Sequence, residues 1–301
     1  MQVIRDTRFC VTNWSALHRK QWPSMVACAN QSGPIKWSWP KRVTPLSIKY
    51  LINAAETYEL GKRAVTVDSN SFLIINEGTE YASHVDSNTD VETASVFISP
   101  ELLENVLSTL STEPGKLLNE PDREPSAPVN FLERLYPADD KVVPSLLNIR
   151  SLVNSGGNDA QIQEAMHILV ENLLLMQEGI KLEIESLDFA KASTRDEIYR
   201  RLHICRDFMI SNLSKTQNLE EIAAVAGFAR HHFLRVFREV FGLTPHQYLM
   251  QTRLDRARQL VKTTERSISD ICLDVGFESL SSFSALYKRK FQLSPIQDRQ
   301  L

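Results

Sequence analysis

The 301 residues are 43% hydrophobic and 24% charged, which excludes a fully disordered chain, a collagen and a disulfide-rich miniprotein, and their number predicts two domains. The net charge of −3 divides into +5 over residues 195–301, with 17 Lys and Arg against 12 Asp and Glu, and −8 over residues 1–194. This asymmetry indicates that the C-terminal part meets a polyanion, although many solvated helical surfaces carry as much charge.

The N-terminal part of the chain has the pattern of short β-strands. Apolar residues alternate or run together at 46–52, 64–67, 71–75 and 93–98, and turn-forming residues separate these segments. Strands at about ten-residue spacing, without helices between them, predict an antiparallel barrel or sandwich. We place this barrel at about residues 20–98.

Helices are predicted after the strands, at about residues 99–180. Ser99 and Pro100 suit the N-cap and first turn of a helix, and four prolines predict a loop at 112–128. A broad apolar face then runs through residues 160–180, formed by Ile162, Ala165, Met166, Leu169, Leu173 and Met176. This face is either ordinary core, or core on one side and a dimer contact on the other.

The domain boundaries follow from these patterns. Residues 1–185 form the predicted N-terminal domain, residues 186–193 lack periodicity and are predicted to be a linker, and residues 194–301 form an all-helical domain.

The C-terminal part contains an internal repeat. Ile222, Gly227 and Phe228 match Ile271, Gly276 and Phe277, which lie 49 residues later. Five more residues recur at an offset of 50: Phe233, Phe237, Phe241, Thr244 and Pro245 match Phe283, Tyr287, Phe291, Ser294 and Pro295. Eight matches in register indicate a duplicated structural unit.

Each copy predicts a helix-turn-helix, at about residues 219–241 and 267–291. Asn218 and Ser267 suit the N-caps of the first helices. A glycine that adopts the left-handed conformation ends each first helix, and a phenylalanine fills the angle between the helices. These structural turn residues are Gly227, Phe228, Gly276 and Phe277.

A further helix is predicted between the two copies, at residues 245–262, because Thr244 and Gln247 flank Pro245 in the pattern of a capping box. Eighteen residues at 1.5 Å each span about 27 Å, so the second helices of the two copies could lie about 34 Å apart. That distance is one turn of B-DNA, and one chain could then enter two successive major grooves.

Residues 194–301 resemble the DNA-binding region of the AraC/XylS family of bacterial transcription regulators. The motifs that carry the resemblance are 222–228, 233–237, 242–248, 253–257 and 271–291, supported by 194–202 upstream. The N-terminal part, including 131–136, resembles the cupin-like, jelly-roll sensor domain of the same proteins. The resemblance implies a mainly β sensor and dimerisation domain with added helices, and an all-α domain with two helix-turn-helix units.

Partners are implied in the same way. They are double-stranded DNA, a second copy of the chain, a small-molecule effector that is not identified, and RNA polymerase. No cofactor is expected. No membrane partner is expected either, since no apolar run reaches the roughly 18 residues of a spanning helix. Residues 1–10 also lack the apolar segment of a signal peptide. We therefore expect a cytoplasmic protein.

Arg235 is the strongest candidate for base recognition, because its guanidinium fits the O6 and N7 acceptors of guanine and it aligns with a base-contacting position of the family. The other candidates are Arg230, His231, Leu234, Leu280, Ser281, Ser282 and Ala285. The family often has arginine where Ala285 stands, so the second helix is less typical. Candidates for phosphate contact are His232, Arg238, His246, Lys288, Arg289 and Lys290.

No catalytic residue and no metal site are predicted. The N-terminal part has three histidines, His18, His84 and His167, without the HxH spacing of a cupin metal site, and no GxSxG segment occurs. Four cysteines, Cys10, Cys28, Cys205 and Cys272, form no CxxC pair. Two alternatives stay open: a metal-free cupin enzyme fused to a DNA-binding module, and a ligand-independent regulator whose N-terminal domain only binds protein partners.

Overall fold

The computed structural model describes residues 4–6, 24–28, 30–111, 129–188 and 192–300. Two compact units form, Met1–Ser186 and Leu187–Leu301. The loop predicted at 112–128 lies outside the described residues.

The first unit is built on two β-sheets. Its strands are β1 (Ile4–Asp6), β2 (Met25–Ala27), β3 (Asn30–Gln31), β4 (Ile35–Val43), β5 (Leu46–Leu51), β6 (Glu56–Leu60), β7 (Arg63–Val67), β8 (Ser71–Ile75), β9 (Glu80–Ser87), β10 (Val91–Ile98) and β11 (Leu135–Pro137). One sheet has the order β1-β2-β10-β5-β8-β11, with β3 also paired to β10, and the other has the order β4-β9-β6-β7. All pairings are antiparallel except that between β1 and β2.

The larger sheet is buried on both faces at its centre. Every residue of β5 and of β8 is buried. One face meets the smaller sheet, since Lys49 of β5 contacts Tyr81 of β9. Helix α2 (Val142–Asn154) packs against β10 and β2. This double burial explains why β8 reads as a continuous apolar run.

Two more helices complete the first unit. Helix α1 (Pro100–Ser111) begins as predicted, because the Ser99 hydroxyl accepts a hydrogen bond from the backbone N–H of Leu102 at 3.2 Å. Helix α3 (Asp159–Ser186) packs against α1 and α2 through its buried residues, which include all the predicted apolar positions except Met176.

The second unit is helical. Its helices are α4 (Ala192–Ser211), α5 (Leu219–Val225), α6 (Arg230–Phe241), α7 (Pro245–Thr263), α8 (Ile268–Asp274), α9 (Leu280–Phe291) and α10 (Pro295–Arg299). Among the described residues, no helix is long and apolar enough to cross a bilayer.

Several predicted bounds are corrected. The linker predicted at 186–193 is shorter, because Ser186 still belongs to α3 and α4 already begins at Ala192. Strands also lie outside the predicted barrel of 20–98: β1 precedes it and β11 follows it. The segment of β11 is only three residues long and contains a proline, so it has no strand pattern of its own; it is held by pairing with β8.

Candidate nucleic-acid interface

The first helix-turn-helix consists of α5 and α6. The Asn218 side chain caps α5 by accepting a hydrogen bond from the backbone N–H of Glu221 at 2.6 Å. Gly227 follows with a φ of +67°, which favours glycine. Phe228 is buried beside Phe233, with ring centroids 6.0 Å apart, and so fixes the angle between the two helices.

The second helix-turn-helix, α8 and α9, has the same construction. Ser267 caps α8, Gly276 has a φ of +89°, and Phe277 packs on Phe283 with centroids 5.2 Å apart. One difference lies at the end of the second helix: α6 stops at Gly242 in the left-handed conformation, whereas α9 stops at Gln292 in the same conformation. Gln292 is strained there because its Cβ crowds the backbone.

Helix α7 joins the two helix-turn-helix units and contributes to the apolar core of each. The predicted capping box at Thr244 and Gln247 is present. Leu249 belongs to the apolar cluster around Phe233, while Leu254 belongs to the cluster around Phe283. One rigid helix therefore supports both helix-turn-helix units.

A longer repeat, which the sequence analysis did not detect, relates α4 to α7. Arg201 and Leu202 correspond to Arg253 and Leu254 at an offset of 52. The positions Cys205, Arg206 and Met209 correspond in the same way to Ala257, Arg258 and Val261. The apolar members of both series are buried. Each half of the helical domain is thus a repeat of three helices. The shared motif R-L-x-x-[CA]-R is the sequence signal that could have revealed this longer repeat.

Each of the two corresponding arginines holds backbone near a turn. Arg201 donates hydrogen bonds to the carbonyl oxygens of Ala226 and Gly227, at 2.6 and 2.5 Å, and its guanidinium lies over the Phe228 ring. Arg253 is buried and donates to the carbonyl oxygens of Leu213 and Lys215, at 2.9 and 2.8 Å, and burial lowers its pKa. Among the described residues Arg253 makes no ion pair, so its guanidinium acts through these two backbone hydrogen bonds.

The exposed face of α6 carries the base-recognition candidates. His231, Leu234 and Arg235 line one open depression together with Arg238, Glu239 and Thr244. Arg235 is exposed and lies 3.5 Å from the Glu239 carboxylate, one turn along α6. Arg230 is exposed and forms an ion pair with Glu220 of α5. Exposed ion pairs of this kind contribute little stability, so both guanidinium groups remain able to exchange partners.

The exposed face of α9 is less polar. Leu280, Ser281, Ser282 and Ala285 are all exposed. The Ser279 hydroxyl caps α9 through the backbone N–H of Ser282 and lies 2.8 Å from the Ser281 hydroxyl. No arginine or lysine stands at these four positions, so the face offers only short hydroxyl groups and apolar contact to a base edge.

The phosphate candidates divide into two groups. Arg238, Lys288 and Arg289 are exposed and form no ion pair within the part of the chain that the structure describes. His246 lies in the same cleft as Arg289, between α7 and α9. His232 packs its ring edge-on against Phe228, and Lys290 donates to the Asp255 carboxylate at 2.6 Å. His232 and Lys290 therefore already make contacts within the domain.

The end of the domain is held by Asp298 of α10. Its carboxylate is fully buried and accepts hydrogen bonds from Arg258 and Tyr287, both at 2.7 Å, and lies 3.3 Å from the Lys262 ammonium. Burial alone would raise the pKa of Asp298, but these hydrogen bonds and charges bring it below its usual value.

The three described thiols are unreactive because they are buried, whereas Cys10 lies outside the described residues. Cys28, Cys205 and Cys272 are free and buried, and burial raises the pKa of each, that of Cys28 to about 11 and that of Cys205 to about 12. Among the described residues, no three His, Cys, Asp or Glu side chains come together as metal ligands.

Comparison with known proteins identifies the helical unit. A family model described as a helix-turn-helix domain matches residues 222–300. A probable transcriptional regulator, LumQ of Photobacterium leiognathi, is 35% identical over 91 residues, which are 30% of this chain and 37% of LumQ. Residues 222–300 are a helix-turn-helix domain of the AraC type.

Other relatives extend beyond the AraC-type domain. The transcriptional activator RhaS of Escherichia coli is 29% identical over 175 residues, 56% of this chain and 60% of RhaS. The chain thus spans 37% to 60% of the length of these two curated relatives. A solved AraC-type regulator from Chromobacterium violaceum is 30% identical and covers 36% of this chain and 95% of its own, with a TM-score of 0.32.

Proposed function

We propose that the protein is a sequence-specific DNA-binding transcription regulator, and that each copy enters two successive major grooves on one face of the DNA. The observation that carries the proposal is the pair of helix-turn-helix units on α7, each presenting an exposed second helix with lysine or arginine side chains on it. The 19 residues of α7 span about 28 Å, which suits two grooves one helical turn apart.

The two helix-turn-helix units have different roles in this proposal. Arg235 reads a guanine from α6, with Arg230, His231 and Leu234 beside it, because a guanidinium matches the two acceptors of that base. Helix α9 is held mainly by the phosphate contacts of Lys288 and Arg289, since its exposed residues lack a long donor. The first helix-turn-helix therefore sets most of the preference for DNA sequence.

The N-terminal unit acts as a cupin-like sensor domain in this proposal. It binds a small-molecule effector and passes the change to the DNA-binding domain, and the assembled regulator contacts RNA polymerase. Support comes from the two facing β-sheets, which can enclose a ligand between them. A regulator of this kind works in the cytoplasm, where bacterial DNA lies, and carries out no catalytic step.

A homodimer contact on α3 completes the proposal. Ile168, Leu175 and Leu182 are exposed, with Leu175 52% accessible, and they follow one another at intervals of seven residues. Side chains at that spacing lie in one line, two helical turns apart. The buried residues of α3 face its own domain, so this second apolar line is free to pack against the same line of a second copy.

Footprinting tests the DNA-binding proposal. The full chain is incubated with DNA from upstream of its own gene, and the bases it protects from nuclease are mapped. We expect two protected segments about 10 base pairs apart for each copy, on one face of the duplex. Protection of a single segment, or binding that does not weaken as salt rises, would contradict the arrangement.

A further inference from the structure

The last turns of α6 and α9 carry very different charges, although the two helices correspond in the repeat. In α9 this turn contains Lys288, Arg289 and Lys290. The offset of 50 places Arg238 and Glu239 of α6 opposite the first two of these residues and an uncharged residue opposite the third. The last turn of α6 therefore has no net charge, because one positive and one negative charge cancel, whereas that of α9 carries three positive charges.

Glu239 lies on the face of α6 that carries the base-recognition candidates. It lines the same open depression as His231, Leu234 and Arg235. This placement follows from the helix register, because residues four apart, such as Arg235 and Glu239, are neighbours on a helix surface. A carboxylate on a surface that approaches DNA is repelled by the phosphates of every sequence. A gain in sequence discrimination would explain why an acidic residue stands there.

The Glu239 carboxylate contacts the main candidate for base recognition. Its Oε2 lies 3.5 Å from Nη1 of Arg235, and the two side chains are 38% and 58% exposed. An exposed pair of this kind adds little to the stability of the fold. It does restrict the directions that the Arg235 side chain samples before DNA arrives, which reduces the entropy lost on binding a base. A guanidinium has five N–H donors and guanine takes two, so the contact with Glu239 can persist in the complex.

The carboxylate also restricts which base can lie beside that guanine. Among the described residues Glu239 forms this one ion pair, so its second oxygen is able to accept a hydrogen bond from DNA. An ionised carboxylate accepts and never donates, and the acceptors of guanine and thymine in the major groove repel it. Adenine places its N7 acceptor next to its amino group, whereas cytosine presents its N4 amino group alone. Cytosine is therefore the base that suits Glu239.

We propose that Glu239 is a specificity-determining residue of α6, which holds the Arg235 guanidinium toward a guanine and accepts a hydrogen bond from the amino group of a cytosine beside that guanine. This inference rests on the proposed function, because it specifies what the first helix-turn-helix reads. The carboxylate lowers the affinity for DNA in general and raises the discrimination between sequences.

Fluorescence anisotropy titrations of the full chain on a site selected from random DNA test this role. The duplexes differ only at the base pairs beside the guanine. We expect the parent chain to prefer cytosine at one of these pairs by about fivefold or more. Glu239→Ala removes that preference and weakens the preference for the guanine itself. Glu239→Gln shifts the preference toward adenine, because a glutamine amide pairs with the N6 and N7 atoms of adenine.

A scrambled duplex gives the second measurement. Both Glu239 variants are expected to bind it about threefold more tightly than the parent chain at low salt, because a charge that repels phosphates is gone. Their Tm should stay within about 1 °C of the parent value, since an exposed pair is lost. Glu197→Gln is the matched control: it removes a carboxylate from an exposed pair with Arg200 on α4 and should leave every base preference unchanged.

Several outcomes would overturn the role of Glu239. They are a base preference that Glu239→Ala leaves unchanged, weaker binding of that variant to scrambled DNA, and a selected half-site without a cytosine beside the guanine. A Tm that falls by several degrees in Glu239→Ala would show that the residue acts through the fold, and would overturn it as well. A parent chain that binds all duplexes equally would instead refute the sequence-specific regulator, so the two proposals can fail separately.

Discussion

Arg253 and Gly276 lie so close together that a Cβ atom on the glycine would be 2.7 Å from Nη2 of the arginine. The same Cβ would lie 2.3 Å from the carbonyl oxygen of Leu213, which is the hydrogen-bond acceptor of Arg253. The turn of the second helix-turn-helix is therefore closed by contact with α7 and with the segment that follows α4. Neither its backbone conformation nor its surroundings accept a side chain.

Gly276→Ala tests this contact. We expect a loss of about 3 kcal/mol or more of unfolding free energy, because backbone and a buried guanidinium must both move. Gly242→Ala is the matched control: Gly242 also has a positive φ, of +70°, but nothing lies within 4 Å of its Cβ position. It is expected to cost about 1–2 kcal/mol from backbone strain alone. Urea unfolding measures both, and equal losses would show that the contact with Arg253 is unimportant.

Arg235→Ala and Lys288→Ala are expected to affect DNA binding in different ways. Loss of Arg235 should cost about 1–3 kcal/mol on the preferred site and reduce discrimination at one base pair. Loss of Lys288 should weaken all DNA sequences similarly and reduce the salt slope by about 1. Fluorescence anisotropy titrations at several salt concentrations, on matched and mismatched duplexes, separate the two effects.

Selection of binding sites from random DNA can contradict the roles assigned to Arg235 and Lys288. A well-defined half-element beside a degenerate one agrees with reading by α6 and anchoring by α9. Two equally sharp halves would mean that Ser281 or Ser282 reads bases, directly or through water.

Asp298 predicts a dependence of stability on acid. Its pKa is lower in the folded domain than in the unfolded chain, so its contribution is complete above about pH 4 and is lost as the pH falls through the folded value. Asp298→Asn should therefore cost about 2 kcal/mol at neutral pH and less below pH 4. Asp274→Asn, which alters an exposed pair with Arg266, serves as the control. A cost for Asp298→Asn that does not change with pH would contradict the assignment.

Leu175→Glu tests the dimer contact on α3. Placing a charge in the middle of the exposed apolar line should shift the protein toward monomer at micromolar concentration, because the carboxylate would be buried without a partner. Sedimentation velocity measures the change. Leu110→Glu, at another exposed leucine on α1, should leave the association state unchanged. Dissociation by both variants, or by neither, would place the contact elsewhere.

The helical unit was predictable because its signals are local. Capping residues, turn glycines and aromatic spacing each act within a few residues, and the helix starts at Leu219, Pro245 and Ile268 follow from them. Strands β4, β6 and β9 were not predicted, although apolar and polar residues alternate over 35–39, which is the period-two signal of a strand. Pro40 and the irregular register after Trp39 interrupt that pattern in β4. Arg253 and Lys49 were also beyond sequence reasoning: what surrounds each charge comes from segments distant in the chain.

In the proposed two-groove arrangement, helix α7 limits which DNA sites can be bound. Leu249 and Leu254 anchor it in two separate cores, five residues apart on one continuous helix. One residue inserted between them would turn everything beyond by about 100° and advance it by 1.5 Å. A flexible linker would let α6 and α9 adjust to half-sites at different separations. Because α7 is one continuous helix, the separation and relative orientation of α6 and α9 are fixed. A target with one extra base pair between its halves would therefore present the second half at an angle that α9 cannot reach.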